Sequence, residues 1–333
     1  MKQLLFIILV FCLGACSKSI DKKLKYINYP SQIHSLKMDS IDSGILLNAS
    51  GIATTEDYLI ISNLNKDTIF DIFDIDSLRY LYSDLIYGQG GNDMLPFRWM
   101  RTFDNNEFYT IGFGIPTITI LKAENRLKIS KRKNIEWEED ICQNLYPLKD
   151  GKVLIQPGKK QGEWSLYDTN NGKVADMPEF PFKKYEPDYD IIKIFQNRAV
   201  NVAVNIKAER IAFFYYKIPF MQLFDFDGNV LSEGFIGNSS VEPSNYFYND
   251  ATYYAGCSYT DEFIFVKYIP DKAEDGTTYF QVWDWKGNML SLIEINSVIN
   301  LFTVSRDGKT MYVVKSDNDN IFRCDLSSII AKL

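Results

Sequence analysis

The chain is 333 residues long and acidic, with 36 Lys and Arg against 43 Asp and Glu for a formal net charge of −7. That balance argues against a nucleic-acid partner, which calls for a basic face. A single histidine, His34, rules out a zinc site built on several imidazoles. Any Ser-His-Asp or Cys-His arrangement would have to use it, and its polar N-terminal setting reads as exposed and inert.

Met1-Lys2-Gln3 is a short positive start, residues 4–13 are an apolar run, and Leu13-Gly14-Ala15-Cys16 follows directly. This order is a secretory signal ending in small residues, with a cysteine just after the expected cut. The apolar run is too short for a spanning helix, which needs about 20 residues. Leu-Gly-Ala-Cys resembles the lipobox of bacterial lipoproteins. The resemblance implies that the Cys16 thiol receives a diacylglycerol and that Cys16 becomes the mature N-terminus. Each buried acyl methylene contributes about 0.8 kcal/mol, and two or more chains hold a protein stably on a membrane. Residues 1–15 are then a signal peptide, 16–24 a lipidated flexible tether and 25–333 a folded domain. Ser17 does not resemble an inner-membrane retention signal, and no acidic run follows Cys16. The expectation is an outer-membrane lipoprotein of the bacterial envelope, facing the periplasm or the cell surface.

Beyond residue 25 helical periodicity is scarce, and short β-rich runs alternate with turn residues, as in an all-β protein. Residues 58–62 and 68–73, a turn, then 78–82 form a strand–strand–turn–strand unit. The unit returns at 107–129, 152–175, 210–232 and 262–291, and in shorter form at 310–325. Its fourth and fifth copies nearly repeat one another, with Asp225-Phe226-Asp227-Gly228-Asn229 matched by Asp284-Trp285-Lys286-Gly287-Asn288. Gly and Asn there accept the positive φ of a tight hairpin. An additional strand precedes each pair, at 51–53, 99–102, 145–146, 199–202, 254–256 and 301–304. A period of this size made of four short strands predicts an all-β, six-bladed β-propeller of four-stranded antiparallel blades. Ring closure is expected from residues 25–28 or their neighbours pairing into the last blade, with 326–333 a short helix or a final outer strand. The competing architecture, two β-sandwiches, lacks a linker to divide the chain.

The segment Ile86-Tyr87-Gly88-Gln89-Gly90-Gly91-Asn92-Asp93-Met94, with Pro96 and Phe97 after it, resembles the TolB-like six-bladed propeller lipoproteins of Bacteroidetes. In that family a Gly-rich acidic segment follows the first complete blade. The usual Gly-Pro-Gly-Glu wording is replaced here by Gly90-Gly91-Asn92-Asp93. The resemblance implies the propeller and the envelope anchor and carries no catalytic residues to transfer.

No pattern calls for a cofactor. Gly88 to Gly91 lacks the Lys-Ser/Thr of a phosphate loop and reads as turn geometry. Glu136, Glu138, Glu139 and Asp140, with Trp137 among them, could offer oxygen ligands to Ca²⁺. Their spacing matches no known Ca²⁺ loop, and a solvated acidic loop is the preferred reading there and at Asp188 and Asp190. Cys142, Cys257 and Cys324 remain after processing; two could pair in an oxidising envelope, but three buried free thiols are favoured. Loops joining one blade to the next gather aromatic and cationic side chains on one face. Arg98, Trp99, Trp137, Tyr189, Tyr246, Tyr253 and Tyr254 are the candidate binding face, since aromatics and Arg dominate interface hot spots. The reading is a non-enzymatic binding or scaffold protein for a protein partner or a glycan. The alternative is a carboxylate- and metal-dependent hydrolase or lactonase acting on an envelope polysaccharide, marked by three clustered carboxylates at the channel mouth.

Overall fold

The computed structural model describes residues 25–30, 32–45, 47–63, 67–104, 106–113, 115–136, 142–157, 163–186, 191–237, 243–248, 251–270, 276–315 and 320–333. The chain begins with three short strands, β1 (Tyr26–Ile27), β2 (Ile33–Leu36) and β3 (Asp39–Asp42). Blade 1 follows as β4 (Ala49–Thr54), β5 (Tyr58–Asn63), β6 (Phe70–Asp74) and β7 (Tyr80–Asp84). Blade 2 is β8 (Phe97–Asp104), β9 (Glu107–Gly112), β10 (Thr117–Ala123) and β11 (Leu127–Asn134). Blade 3 is β12 (Cys142–Pro147), β13 (Lys152–Pro157), β14 (Ser165–Asp168) and β15 (Gly172–Asp176). Blade 4 is β16 (Val200–Asn205), β17 (Arg210–Tyr215), β18 (Phe220–Asp225) and β19 (Val230–Ile236). Blade 5 is β20 (Tyr254–Tyr259), β21 (Phe263–Tyr268), β22 (Thr278–Asp284) and β23 (Met289–Ile295). Blade 6 supplies β24 (Leu301–Val304), β25 (Thr310–Val314) and β26 (Asn320–Asp325). The strands named for each blade pair antiparallel in chain order and blade 6 takes its fourth strand from the N-terminal segment, so the fold is a six-bladed propeller of four-stranded blades.

The burial of each strand follows from its place in the blade. Middle strands are covered by neighbouring blades on both faces, and they read as near-continuous apolar runs. In β5, Leu59 to Asn63 are all buried, as are Phe220 to Phe224 in β18. Outer strands meet water, and β11 alternates exposed Lys128, Ser130 and Lys131 with half-buried Ile129 and Arg132.

The paired turns of blades 4 and 5 have one hydrogen-bond plan. Asp225 Oδ1 accepts from the Asp227 and Asn229 amides at 3.0 and 2.8 Å, and Asn229 Nδ2 donates to Asp225 Oδ2 at 2.9 Å. Asp284 does the same with the Lys286 and Asn288 amides at 2.9 and 2.8 Å and with Asn288 Nδ2 at 2.8 Å. Gly228 and Gly287 carry φ of 85° and 84°, the left-handed region that only glycine enters freely. A β-bulge sits just ahead of each turn, between Leu223 and Phe224 and between Val282 and Trp283.

Ring closure differs from expectation in its residues. β3 supplies the fourth strand of blade 6, pairing antiparallel with β26 so that Ile41 faces Ile321 and Asp39 faces Arg323. Tyr26 and Ile27, the expected closing pair, instead add a parallel strand outside β19 in blade 4. β2 adds a parallel strand outside β23 in blade 5. The N-terminal segment therefore runs along the rim from blade 4 to blade 6 before entering blade 1. Residues 25–28 land on blade 4 because Gly234 leaves room there: a Cβ at 234 would lie 2.9 Å from Ile27 Cδ1 and 3.0 Å from the Lys25 carbonyl. His34, expected exposed, is a half-buried rung of β2 opposite Ile293. The chain ends in a short helix, Ser327–Ile330, that buries Ile329 against blade 6.

Sheet edges left bare invite pairing with other chains. The rim segment covers those of blades 4, 5 and 6. The uncovered edge strand of blade 2 carries Lys128, Lys131, Arg132 and Lys133, charges that oppose such pairing.

Candidate functional site

The inner strands β4, β8, β12, β16, β20 and β24 surround a central channel. All start on the face that carries the blade-to-blade loops and end on the opposite face, which carries the tight turns. The two faces differ in how their side chains are used.

The loop face holds most of the sequence-predicted site. Arg98 is exposed on β8, with its guanidinium carbon 5.1 Å from the centroid of the exposed Phe113 ring. Trp99 is half-buried, 4.7 Å from the Tyr146 ring and 5.7 Å from the Tyr109 ring. Tyr246, Tyr253 and Tyr254 do not present a platform: their relative exposures are 7%, 2% and 0%. Tyr246 stacks on Phe235 at 5.8 Å and meets Tyr253 edge-on at 5.6 Å, while Tyr254 packs on Phe214 and donates to Gln281 Oε1 at 3.2 Å. The reason is that the loops before and after blade 4 fold back over it. Helical turns Lys183–Tyr185 and Pro243–Tyr248 carry this fold-back, and the buried Phe180, Phe182 and Phe247 complete it. Beneath this cover, Arg198 and Glu186 form a buried ion pair at 2.5 Å, with exposures of 4% and 6%. Cys16, Trp137, Tyr189, most of the 136–140 acidic cluster and the 188–190 pair lie outside the described residues.

The turn face holds the cavity. A space of about 340 Å³ opens where the inner strands end, between Thr102 and Phe103 of β8, Asn205 of β16, Tyr259 of β20 and Val304 of β24. Lys207, Thr260, Asp261 and Arg306, which follow those strand ends, complete the wall. Further out it widens into a vestibule of about 560 Å³ rimmed by Glu262, Asp307 and Lys309. The wall is braced by the backbone. Asn205 Nδ2 donates to the Asp261 carbonyl at 2.9 Å, and Trp285 Nε1 donates to the Thr260 carbonyl at 3.0 Å.

Beneath the cavity, a smaller space of about 10 Å³ is lined by Arg101, Thr102, Cys257 and Tyr259. Arg101 lies 5.4 Å from the Trp99 ring centroid and faces Tyr109, Tyr146, Tyr259 and Cys257. Burial pushes the Tyr109 and Tyr146 phenols well above their ordinary range and the Tyr259 phenol up to about 12. Burial also raises the Cys257 thiol, which donates to the Val202 carbonyl at 3.1 Å. All four groups are therefore neutral at pH 7.

The carboxylates of this face are dispersed. Asp261 lies 3.4 Å from Lys207 Nζ, and Asp307 accepts from Ser305 Oγ at 2.6 Å and from the Lys309 amide at 3.0 Å within its own turn. Among the described residues, no three His, Cys, Asp or Glu side chains come together to hold a metal ion. Among them, too, no helix is long and apolar enough to cross a membrane.

The cavity was missed in sequence because its wall is gathered from the last residues of four inner strands and the positions just after them, contributed a few at a time from distant parts of the chain. One signal was present. Among the inner strands, β8 alone carries charged residues, Arg98 and Arg101 among them.

No family model matches the chain, and no curated protein matches it. Solved structures do. A member of the DUF4221 family from Bacteroides vulgatus shares 11% identity at a TM-score of 0.55, over 87% of this chain and 98% of that one. Raptor from Chaetomium thermophilum shares 9% identity at a TM-score of 0.50, over 88% of this chain and 29% of that one. Likeness at this identity is likeness of fold alone.

Proposed function

We propose that this protein is a lipid-anchored, non-enzymatic binding protein of the bacterial envelope, akin to the TolB-like lipoproteins, that takes a sugar-sized ligand at the turn-face mouth of its channel. The Cys16 lipobox supports the anchor. The observation that carries the binding reading is the cavity of about 340 Å³ at the ends of the inner strands. Its size falls within the range of ligand pockets, about 300–1,000 Å³. Its wall mixes the Phe103 and Tyr259 rings with the polar groups of Asn205, Lys207 and Thr260, the mixture that suits a polar ring with apolar faces. Separate anchoring of Asp261 and Asp307 weighs against the hydrolase alternative, which needs carboxylates acting together.

The test is a melting-temperature screen of the full chain in detergent against neutral and acidic oligosaccharides, since a ligand bound only by the folded state raises its melting temperature. Ile206, on the cavity wall, is the control: Ile206→Trp fills the space and is expected to abolish any shift. A shift that survives Ile206→Trp places the ligand elsewhere and overturns the reading.

A second reading has its own observation. On the loop face Ile86, Tyr87, Phe113 and Ile115 are 50%, 47%, 66% and 61% exposed, near Arg98. An apolar patch of this kind favours a protein partner. Phe113→Asp would abolish crosslinking to such a partner and leave sugar binding unchanged.

A further inference from the structure

We infer that the channel floor is an oxoanion-recognition site, and that the ligand of the turn-face cavity is a sugar-sized molecule carrying one carboxylate or sulfate that docks on Arg101. This rests on the binding reading above and specifies the chemistry of the ligand.

The guanidinium of Arg101 offers five N–H donors in a planar fork that matches a carboxylate or sulfate edge. Very little of that capacity is used. Its Nε is shielded from solvent without a hydrogen-bond partner, and its one bond runs to the Met100 carbonyl at 3.5 Å, the outer limit for such a contact. Among the described residues no carboxylate pairs with it. The groups it faces, Tyr109, Tyr146, Tyr259 and Cys257, are neutral at pH 7, so none supplies a counter-charge.

Arg101 is half-buried; a charge partly withdrawn from water without a counter-charge carries a local cost, and such costs cluster at functional sites. The guanidinium carbon lies over the Trp99 ring, a contact that uses none of its N–H donors. Thr102 and Tyr259 line both the cavity and the space of about 10 Å³ around Arg101, so the two adjoin, and an oxoanion reaching the guanidinium from the cavity must widen that space. The rim does not choose the sign of the ligand: Lys207, Arg306 and Lys309 stand against Asp261, Glu262 and Asp307. The floor does, through Arg101.

The experiment is calorimetric titration of the full chain in detergent with glucuronate, glucose 6-sulfate and glucose, alongside the melting temperature of the unliganded protein. Glucuronate, glucose 6-sulfate or both should bind, and glucose should bind at least tenfold more weakly; comparison of the two acids identifies the oxoanion. Arg101→Met should lower the affinity for the preferred acid by about 30-fold, the scale of a lost charge-assisted hydrogen bond. The unliganded Arg101→Met protein should melt at the same or a higher temperature, whereas a merely structural arginine would lower it. Lys207→Glu, at an exposed rim position (80%), cannot disturb the core and should weaken acid binding severalfold.

Glucose binding as tightly as the acids, with loss on Ile206→Trp, overturns the anion inference and leaves the cavity reading standing. Undiminished acid binding by Arg101→Met also overturns it, whatever Lys207→Glu does. Silence of all three probes overturns it as well, and the cavity reading then rests on the oligosaccharide screen.

Discussion

Thr54 and Thr102 belong to one chain of hydrogen bonds that ties blades together at the channel. Thr102 Oγ1 donates to the Thr54 carbonyl at 2.7 Å, and Thr54 Oγ1 donates to the Val304 carbonyl at 2.7 Å. The Val304 amide in turn donates to Ser258 Oγ at 3.1 Å, and Cys257 Sγ donates to the Val202 carbonyl. Blades 2, 1, 6, 5 and 4 are joined in that order around the axis by side chains of one or two heavy-atom bonds. Short side chains are what the narrow end of a radial sheet admits. They also hold the floor beneath the cavity in a fixed shape, which lowers the cost of ordering a ligand there.

Thr54→Val tests this collar. Thr54 is fully buried, and valine keeps its shape while leaving the Val304 carbonyl without its donor. Removing one partner of a buried bond costs about 1–3 kcal/mol. The expected result is a lower urea midpoint with an unchanged slope, and near wild-type stability for Thr54→Ser. An unchanged midpoint for Thr54→Val would mean the collar bonds do not hold the ring.

The rim segment gives a second prediction. β1 docks through the Phe235 amide to the Lys25 carbonyl at 2.9 Å and the Gly237 amide to the Ile27 carbonyl at 3.0 Å. A side chain at 234 collides with both Ile27 and that carbonyl. Gly234→Val should release β1 while leaving blade 4's own ladder intact. Hydrogen exchange should then accelerate in a peptide covering residues 25–30 and stay slow in residues 210–225; equal protection in both would show that β1 finds room regardless.

Much of this fold was legible in sequence, for reasons that differ by element. The Asp225–Asn229 and Asp284–Asn288 turns announce themselves because local chemistry alone, an aspartate bonding amides two and four residues on, closes them. The middle strands are equally plain as apolar runs. Residues 25–28 were legible as a pairing strand but their blade was not, and β2 was not legible at all, since strands of two and four residues carry no period and their parallel seats are set by the space that blades 4 and 5 leave. Tyr253 and Tyr254 were misjudged because an aromatic side chain reads alike whether its loop stands free or folds back. Arg101 was readable as a charge in an inner strand, but its lack of a partner is visible only in three dimensions.

Acid should weaken the protein through its turns. Ser77 Oγ and its amide hold the Asp74 carboxyl below the usual range, the Asn170 and Asn171 amides lower Asp168, and the Ser327 hydroxyl and amide lower Asp325. A depressed folded pKa contributes stability that is present above the unfolded carboxylate value, about pH 4, and disappears as pH falls through the lower folded value. The urea midpoint should therefore hold from neutral pH to about pH 5 and fall below about pH 4. Asp74→Asn should flatten part of that fall; an identical profile for the variant would remove Asp74 from the account.

The thiols make a prediction about redox state. Cys142, Cys257 and Cys324 are buried and unpaired, and burial pushes the Cys142 and Cys324 thiols up to about 12. A thiol needs its thiolate to react, so a thiol reagent at pH 8 should label none of the three in the native protein. All three should label once the chain is unfolded in guanidinium without reductant. Labelling of only one of the three in the unfolded state would reveal an oxidised pair.

In the function proposed above, attachment to the membrane would rest on one atom, the Cys16 sulfur. Cys16→Ala removes the acceptor of the lipid, and a polar tether such as residues 17–23 has too few apolar side chains to hold a membrane alone. The variant should move from the membrane pellet to the soluble envelope fraction, with the unprocessed signal as its only remaining apolar segment if cleavage depends on lipidation. Alkaline carbonate washing distinguishes the cases: wild-type protein should stay in the pellet and the variant should wash free. A mature-size Cys16→Ala protein that pellets with the membrane before the wash and is released by it would show that the propeller is held there by a bound partner, and would shift attention to the exposed Phe113 and Ile115 on the loop face.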